Sequence, residues 1–263
     1  MEEFYFICAL VLAAILGVSV GSFLNVVIYR VPLSMSLSRP ASHCPNCKYK
    51  LRFYDNIPVL SYLILGGRCR SCKTHISFRY TAVEILNGVL WVLSVLLFWK
   101  ESIPLAILYA LAFSVLISVF FIDLEHKLIF DRFQVILLCL GAGALFFDEV
   151  GLVSHLIGGV GGFLALWLVS LLFERITGKE GLGGGDVKLV SVMGLMMGWE
   201  KLLLSLLVAT LPAAIIMPLL MRGKQGEAAE FPFAPFLVIG FAVSLLFGKE
   251  IIEWYLSLLG ISI

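Results

Sequence analysis

Four cysteines in two short motifs carry the clearest chemical signal in this 263-residue sequence. They occur as Cys44-Pro-Asn-Cys47 and Cys69-Arg-Ser-Cys72, separated by residues 48–68. Two C-x-x-C motifs at such a separation are typical of a tetrahedral zinc site in which every ligand is a thiolate. Because four thiolates leave no coordination position open, we predict a structural zinc and not a catalytic one. The alternatives are disulfide bonds or thiols without a metal.

Two aspartates beside apolar segments are the second chemical signal. Asp123 follows the uncharged run 102–122, and Asp186 follows three glycines in Gly183-Gly-Gly-Asp186. Two carboxyl groups that share a site hold one proton between them, and such a pair can activate a water against a peptide bond. The pattern therefore favours aspartic protease chemistry, although each residue could instead be a helix cap or a boundary charge. Other acids that could serve instead are Asp55, Glu84, Glu125 and Asp131.

The elements that carry these residues are predicted to be membrane-spanning helices. Hydrophobic residues make up 60% of the chain, charged residues make up 14%, and the mean hydropathy is +1.02, which excludes a soluble globular domain. A bilayer core about 30 Å thick requires roughly 20 apolar residues as helix. We therefore predict an all-α polytopic membrane protein with about eight transmembrane helices. The predicted spans are 4–29, 80–99, 102–122, 133–147, 150–173, 189–199, 202–221 and 231–248.

One of these segments, 189–199, is too short to cross a bilayer alone. At a rise of about 1.5 Å per residue it reaches only about 16 Å. To span, it must draw in the residues before it, so we expect Asp186 to lie at membrane depth and to face protein or water.

The distribution of basic residues indicates the orientation in the membrane. Nine of them lie between Arg30 and Arg79, against a single acid, Asp55. Because basic residues concentrate on the cytoplasmic side, we predict that this insertion is cytoplasmic and that the N-terminus is outside. Alternation then places the loops 123–132, 174–188 and 222–230 inside, together with both aspartates. A reducing cytoplasm also disfavours disulfide bonds in the insertion.

With these residues in place, the chain resembles the bacterial type IV prepilin peptidases, the bifunctional leader peptidase/N-methyltransferases, over nearly its full length. The resemblance rests on Gly21–Asn25, Tyr29–Pro32, both C-x-x-C pairs, Ile76–Tyr80 with Glu84, Asp123 with Asp131, Gly183–Lys188 and Phe231–Pro235. The chain departs from the family pattern at Thr81, Phe130 and Ala234, where members commonly have proline, proline and glycine.

The resemblance implies that Asp123 and Asp186 are the catalytic aspartates. They would remove the leader of type IV prepilins or type II secretion pseudopilins at the cytoplasmic face of the bacterial inner membrane. The resemblance also implies methylation of the new N-terminal amine with S-adenosylmethionine. No glycine-rich nucleotide motif follows a strand-like segment. Arg79 and Glu84 are candidates to engage the methyl donor or the substrate amine, or else to form a salt bridge.

The predicted spans and the cysteine motifs divide the chain into three regions. We divide the chain into a first transmembrane helix (1–29), a zinc-binding insertion (30–79) and a transmembrane peptidase bundle (80–263).

The predicted partners are prepilin or pseudopilin substrates and the lipid bilayer, and a net charge of +1 gives no reason to expect nucleic acid. Three rivals stay open: a peptidase without methyl transfer, a noncatalytic secretion scaffold, and a transporter whose acid pair relays protons. No internal repeat of the kind found in transporters is visible.

Overall fold

A computed structural model describes residues 1–148, 150–178, 181–221, 231–258 and 260 of the chain. Within these residues the regular structure is helical, apart from two isolated β-bridges in the insertion. This confirms the prediction of an all-α membrane protein. The helices are α1 (Glu2–Arg30), α2 (Leu60–Ile64), α3 (Phe78–Phe98), α4 (Ile103–His126), α5 (Asp131–Ala144), α6 (Leu152–Leu156), α7 (Gly162–Thr177), α8 (Gly184–Met221) and α9 (Ala234–Leu258), with a 3₁₀ turn at Phe53–Asn56 and a π-helical turn at Ile157–Gly161.

The chain forms two compact units, Met1–Ser118 and Val119–Ile263. In the first unit α1 and α3 pack backbone to backbone. A β-carbon on Gly21 would lie 2.7 Å from the Cα of Glu84. Buried Asn87 donates a hydrogen bond from Nδ2 to the carbonyl of Gly17, at 2.7 Å. Small residues and interhelical hydrogen bonds of this kind hold membrane helices together, and here they bring Glu84 directly against α1.

In the second unit α8 is the central helix and packs against α5, α6, α7 and α9. Its 38 residues would measure about 57 Å if straight, nearly twice the thickness of a bilayer core. The helix is interrupted at Gly198, whose φ of 79° and ψ of 171° are not helical. Only glycine adopts such dihedrals readily, so this residue divides α8 into two segments. The first of these segments carries Asp186 in its first turn.

Among the described residues, six helices are long and apolar enough to cross a membrane by length and composition, with Leu152–Thr177 (α6, the π-helical turn and α7) counted as one. The prediction of about eight spans is therefore not confirmed. The predicted span 133–147 corresponds to α5, which has only 14 residues. The predicted spans 189–199 and 202–221 lie within the single helix α8. The predicted inside loop 222–230 lies outside the described residues, and the side of the membrane that each loop faces stays a prediction.

Candidate active site and metal site

Asp123 lies in the last turn of α4 and is 5% exposed. Its Oδ2 accepts a hydrogen bond of 3.1 Å from the backbone N–H of Ala234, the first residue of α9. The first N–H groups of a helix have no partner inside the helix, so a carboxylate at this point caps it. A carboxyl group from one helix end is thus held by the opposite end of another helix, 111 residues further along the chain.

Asp186 lies in the first turn of α8. Its backbone N–H donates to the carbonyl of Gly183 at 3.0 Å, and a β-carbon on Gly183 would lie 3.1 Å from Asp186 Oδ2. The carboxyl group therefore folds back over the glycine segment. Its other oxygen, Oδ1, is buried and has no hydrogen-bond partner among the described residues. Asp186 consequently keeps one carboxyl oxygen free for chemistry.

The two aspartates belong to the same compact unit. They are close enough for the charge of Asp123 to act on Asp186 through space. Asp123 has one oxygen held by a backbone donor, and Asp186 has one oxygen without a partner among the described residues. Two carboxyl groups with these properties can act as the base and the acid that activate a water. The catalytic roles of Asp123 and Asp186 stay predictions at this point.

Two of the rival acids have structural partners. Asp131 begins α5 and forms an ion pair of 2.7 Å with Lys188, whose backbone lies two residues beyond Asp186. Both side chains are solvent-exposed, at 72% for Asp131 and 52% for Lys188, so the pair ties α5 to α8 at the surface. Asp55 lies in the first unit, away from this cluster in the chain, and receives the Nε–H of Arg70 at 2.5 Å.

Asp55 fixes the fold of the insertion. Its carboxylate also accepts the backbone N–H of Arg52 at 3.2 Å and the hydroxyl of Tyr49 at 3.3 Å. Burial alone would raise the pKa of Asp55, but the hydrogen bonds from Arg70 and Arg52 and the charge of Arg70 outweigh it, so the pKa is lowered. The residue is therefore a charged structural anchor and is a poor candidate for proton transfer.

Gln134 is a residue of the site that sequence reasoning missed. It is 5% exposed on α5 and donates from Nε2 to the carbonyl of Gly185 at 2.9 Å. Gly185 immediately precedes Asp186, so Gln134 contacts the segment that carries this carboxyl group. The only signal in the sequence was a polar residue inside the apolar segment 133–147.

The four cysteines of the C-x-x-C motifs form one cluster. All four Sγ atoms lie within 4.8 Å of one another. Cys44 Sγ is 3.8 Å from Cys72 Sγ, and Cys47 Sγ is 3.9 Å from Cys69 Sγ. A tetrahedron with Zn–S bonds of about 2.3 Å has edges of about 3.8 Å, so the arrangement fits one metal ion. All six cysteines, each in a described part of the chain, are free thiols.

The two cysteine turns have the same backbone geometry. The N–H of Lys48 donates to the carbonyl of Cys44 at 2.9 Å, and the N–H of Lys73 donates to the carbonyl of Cys69 at 3.0 Å. Both lysines have a φ of 58°, the left-handed conformation that closes each turn. Two such turns facing each other present two sulfurs each to a common point.

The thiols in this cluster differ in acidity. Hydrogen bonds with the side chain and the backbone of Thr74 lower the pKa of Cys72 to about 6, which favours the thiolate that binds metals. For Cys47 a backbone hydrogen bond with Tyr49 acts in the same direction, but burial and the three other sulfurs together raise the pKa to about 11. The four sulfurs therefore cannot all be thiolates without repelling one another, and a bound divalent cation would offset this repulsion.

Glu84 lies on α3 and accepts the backbone N–H of Val59 at 2.7 Å. It is buried, and it lines a cavity of about 650 Å³ in the first unit. Arg79, the other sequence candidate for the methyl donor, begins α3, where its backbone N–H donates to Ser77 Oγ at 3.3 Å. It is not among the residues that line this cavity.

Comparisons with known proteins give matches along most of the chain. The family model described as "Bacterial Peptidase A24 N-terminal domain" matches residues 15–98, and the one described as "Type IV leader peptidase family" matches residues 110–218. Three similar proteins carry the name prepilin leader peptidase/N-methyltransferase. That of Pseudomonas putida is 37% identical and covers 99% of this chain and 97% of its own length.

The two other relatives agree with the first. The protein of Neisseria gonorrhoeae is 37% identical over 88% of each chain. The protein of Dichelobacter nodosus is 39% identical and covers 88% of this chain and 89% of its own. No solved structure matches the chain.

Proposed function

Because the chain belongs to the type IV leader peptidase family, we propose that it is a prepilin leader peptidase and N-methyltransferase. It would cleave the leader of type IV prepilins or type II secretion pseudopilins and then methylate the new N-terminal residue. The observation that carries the peptidase half is that Asp123 and Asp186 lie at helix ends within one compact unit and that one carboxyl oxygen of Asp186 is buried without a partner among the described residues.

The hydrogen bonds of the pair suggest how the proton moves. Oδ2 of Asp123 accepts the Ala234 N–H, so this oxygen does not carry the shared proton. Oδ1 of Asp186 has no partner within the described structure and is free to hold this proton. In this mechanism Asp123 takes a proton from the water that attacks the scissile carbonyl, and Asp186 donates its proton to the carbonyl oxygen. When the tetrahedral intermediate collapses, the C–N bond breaks, the proton on Asp123 passes to the leaving amine, and a hydroxyl proton of the intermediate returns to Asp186 as the carboxyl product forms.

We further propose that the insertion and the aspartate pair face the cytoplasm of a bacterial inner membrane and that the N-terminus is outside. The excess of basic residues between Arg30 and Arg79 supports this orientation. The division into a first transmembrane helix (1–29), an insertion (30–79) and a peptidase bundle (80–263) belongs to the same proposal. The bilayer would concentrate the apolar helix of a prepilin beside the enzyme, so few side-chain contacts would be needed for affinity.

For the metal we propose a structural zinc ion held by all four cysteines. Sulfur separations of 3.8 and 3.9 Å support tetrahedral coordination. A zinc ion would supply cross-linking alone, because four thiolates leave no position for a substrate. It would fix the two cysteine turns to each other in an insertion whose longest helix, Leu60–Ile64, has five residues. A segment with so little regular structure is expected to need such a cross-link.

For the methyl donor we propose the cavity of the first unit that Glu84 lines. Its volume, about 650 Å³, lies in the range of small-molecule sites. Two acids, Asp55 and Glu84, line it together with four basic residues, Arg30, Lys48, Arg68 and Arg70, and Asp55 is paired with Arg70. Glu84 accepts uncharged hydrogen bonds, from the Val59 N–H and from Ser22, so its carboxylate is available to a cation. S-adenosylmethionine has an ammonium and a sulfonium group, which suit Glu84, and a carboxylate, which suits the basic residues, and it would supply the methyl group.

The experiment that tests both halves uses purified enzyme, a synthetic prepilin with its membrane segment, and S-adenosylmethionine with a labelled methyl group. Mass spectrometry then reports the free leader and the methylated mature chain. Loss of leader release on Asp123→Asn or Asp186→Asn supports the peptidase proposal. Asp131→Asn makes the same chemical change on a nearby exposed acid and serves as the matched control, with cleavage retained. Leader release without methylation would support the rival peptidase that lacks methyl transfer.

A further inference from the structure

One buried polar side chain near the aspartate pair has no part in this mechanism. Gln134 uses only half of its amide group, because Nε2 donates to Gly185 and Oε1 is buried with no partner among the described residues. Exchanging the two amide atoms would bring two acceptors together, so the hydrogen bond to the carbonyl fixes which atom is which. An acceptor buried without a donor is costly and calls for an explanation.

Packing between helices does not explain this amide. Helices α5 and α8 are already joined by the ion pair of Asp131 and Lys188. They also pack closely at Gly141, where a β-carbon would lie 2.9 Å from Met196 Cγ. An apolar side chain would fill the place of Gln134 without burying an unpartnered amide oxygen. The amide is therefore better explained by a ligand than by the fold.

The chemistry of the substrate suggests that ligand. Cleavage needs access to the scissile bond, so we expect the chain around it to be extended, and an extended chain has backbone N–H groups without partners. Where the enzyme encloses that chain, it must supply acceptors for these N–H groups. Gln134 Oε1 is such an acceptor, on the side chain whose Nε2 donates to the carbonyl of Gly185, the residue before Asp186. Asp186 Oδ1 is likewise buried without a hydrogen-bond partner in the described part of the chain.

We propose that Gln134 is a substrate-binding residue: Nε2 holds the Gly185 carbonyl while Oε1 accepts a backbone N–H of the extended substrate beside the scissile bond. This rests on the proposed peptidase function. The contact is with the main chain, so it would serve prepilins of different sequence equally. It would also hold the substrate and Asp186 to the same side chain, and so fix the distance between them.

The test combines an enzyme variant with substrates altered in the backbone. A series of prepilin peptides is made in which one N–H at a time, flanking the scissile bond but not within it, is replaced by an ester oxygen. With wild-type enzyme, one ester in the series is expected to lower kcat/KM about tenfold, the value of one uncharged hydrogen bond. Methionine is similar in length to glutamine but has no amide group. Gln134→Met is therefore expected to have about a tenfold lower kcat/KM than wild type on the normal peptide, and the ester is expected to cause no further decrease in this variant.

Ser191→Ala is the matched control. It removes a side-chain hydrogen bond of 2.9 Å from α8 to the carbonyl of Gly159, a bond of the same kind with no aspartate beside it. This variant is expected to keep the full sensitivity to the ester. If Gln134→Met does not insert, Gln134→Asn, which is one methylene shorter, is expected to lose the same sensitivity. If every ester lowers kcat/KM by the same factor in wild type and in Gln134→Met, the proposal is wrong. If the wild-type enzyme does not cleave the normal peptide, the peptidase function is wrong instead.

Discussion

Replacement of Asp123 by asparagine is the sharpest test of the aspartate pair, because the structure separates its chemical effect from its structural one. The Oδ1 atom of an asparagine amide can still accept the N–H of Ala234. The start of α9 therefore keeps its cap in Asp123→Asn, and the fold of the second unit is expected to survive. What the variant loses is the oxygen that takes a proton from water.

The magnitude follows from the coupling of the two acids. Proton transfer by one positioned group contributes about 10²–10⁴ in rate. In the proposed mechanism the aspartates share one proton and act as a unit, so removal of either is expected to disable both. We therefore expect cleavage to fall by about 10³–10⁴-fold in Asp123→Asn, which corresponds to about 4–5 kcal/mol of lost transition-state stabilisation. The double variant with Asp186→Asn is expected to be no slower than either single one.

The assay measures both reactions on one preparation. Leader release is followed by mass spectrometry on full-length prepilin in lipid vesicles. Methyl transfer is followed separately on a peptide that already lacks its leader, and it reports whether the same sample is folded. Asp123→Asn is expected to methylate this peptide at the wild-type rate, since the proposed donor cavity is lined by other residues. Leader release above a tenth of the wild-type rate would refute the proton-transfer role of Asp123.

Three further predictions concern the first unit. Cys44→Ser is expected to reduce bound zinc from one ion per chain to less than half and to make the insertion sensitive to protease, and metal analysis that still finds one ion would contradict four-cysteine coordination. Glu84→Gln is expected to weaken binding of S-adenosylhomocysteine at least tenfold in calorimetry and to leave leader release unchanged, and unaltered binding would remove Glu84 from the donor site. Asp55→Asn is expected to lower the melting temperature of the insertion at pH 7. Since Arg70 and Arg52 lower the pKa of Asp55, the stabilisation is complete above its unfolded value of about 3.9 and is lost as pH falls through the lower folded value. The difference between wild type and Asp55→Asn should therefore be constant from pH 5 to pH 8 and vanish in stronger acid, and a difference that changes near neutrality would exclude the ion pair as its cause.

Features of the structure that depend on neighbouring residues in the chain could be predicted from the sequence. A C-x-x-C pair contains its own turn, so the cysteine cluster could be predicted from spacing, and the helical class followed from hydropathy. The number of spans was harder, because Glu200 and Lys201 suggested a loop between two short segments. In the structure the helix continues through these charges, and the break is a single residue, Gly198. A kink at one glycine leaves no pattern that distinguishes it from a loop.

Contacts between distant parts of the chain could not be predicted in the same way. The donor to Asp123 is a backbone N–H, which every residue except proline has, so the identity of Ala234 gives no sign of it. Gln134 was visible as a polar residue in an apolar segment, but its partner is again a backbone group, the carbonyl of Gly185. A sequence gives the identity of each side chain, but which main-chain group a side chain contacts depends on how the helices pack.

The location of both aspartates at helix ends has a physical reason. Inside a bilayer the N–H groups in the middle of a helix are all bonded within it, so only the first turn of a helix offers free donors and a positive end of its dipole. Asp123 uses the first N–H of α9, and Asp186 lies in the first turn of α8. A carboxyl group in the middle of a span would have neither. For Asp123 the start of α9 thus provides the donor that water provides in a soluble protein, and Asp186 lies at the positive end of the dipole of α8. A β-carbon on Gly183 would lie 3.1 Å from Asp186 Oδ2 and one on Gly185 would lie 3.0 Å from Ile129 Cβ, so the absence of side chains here leaves room for the carboxyl group.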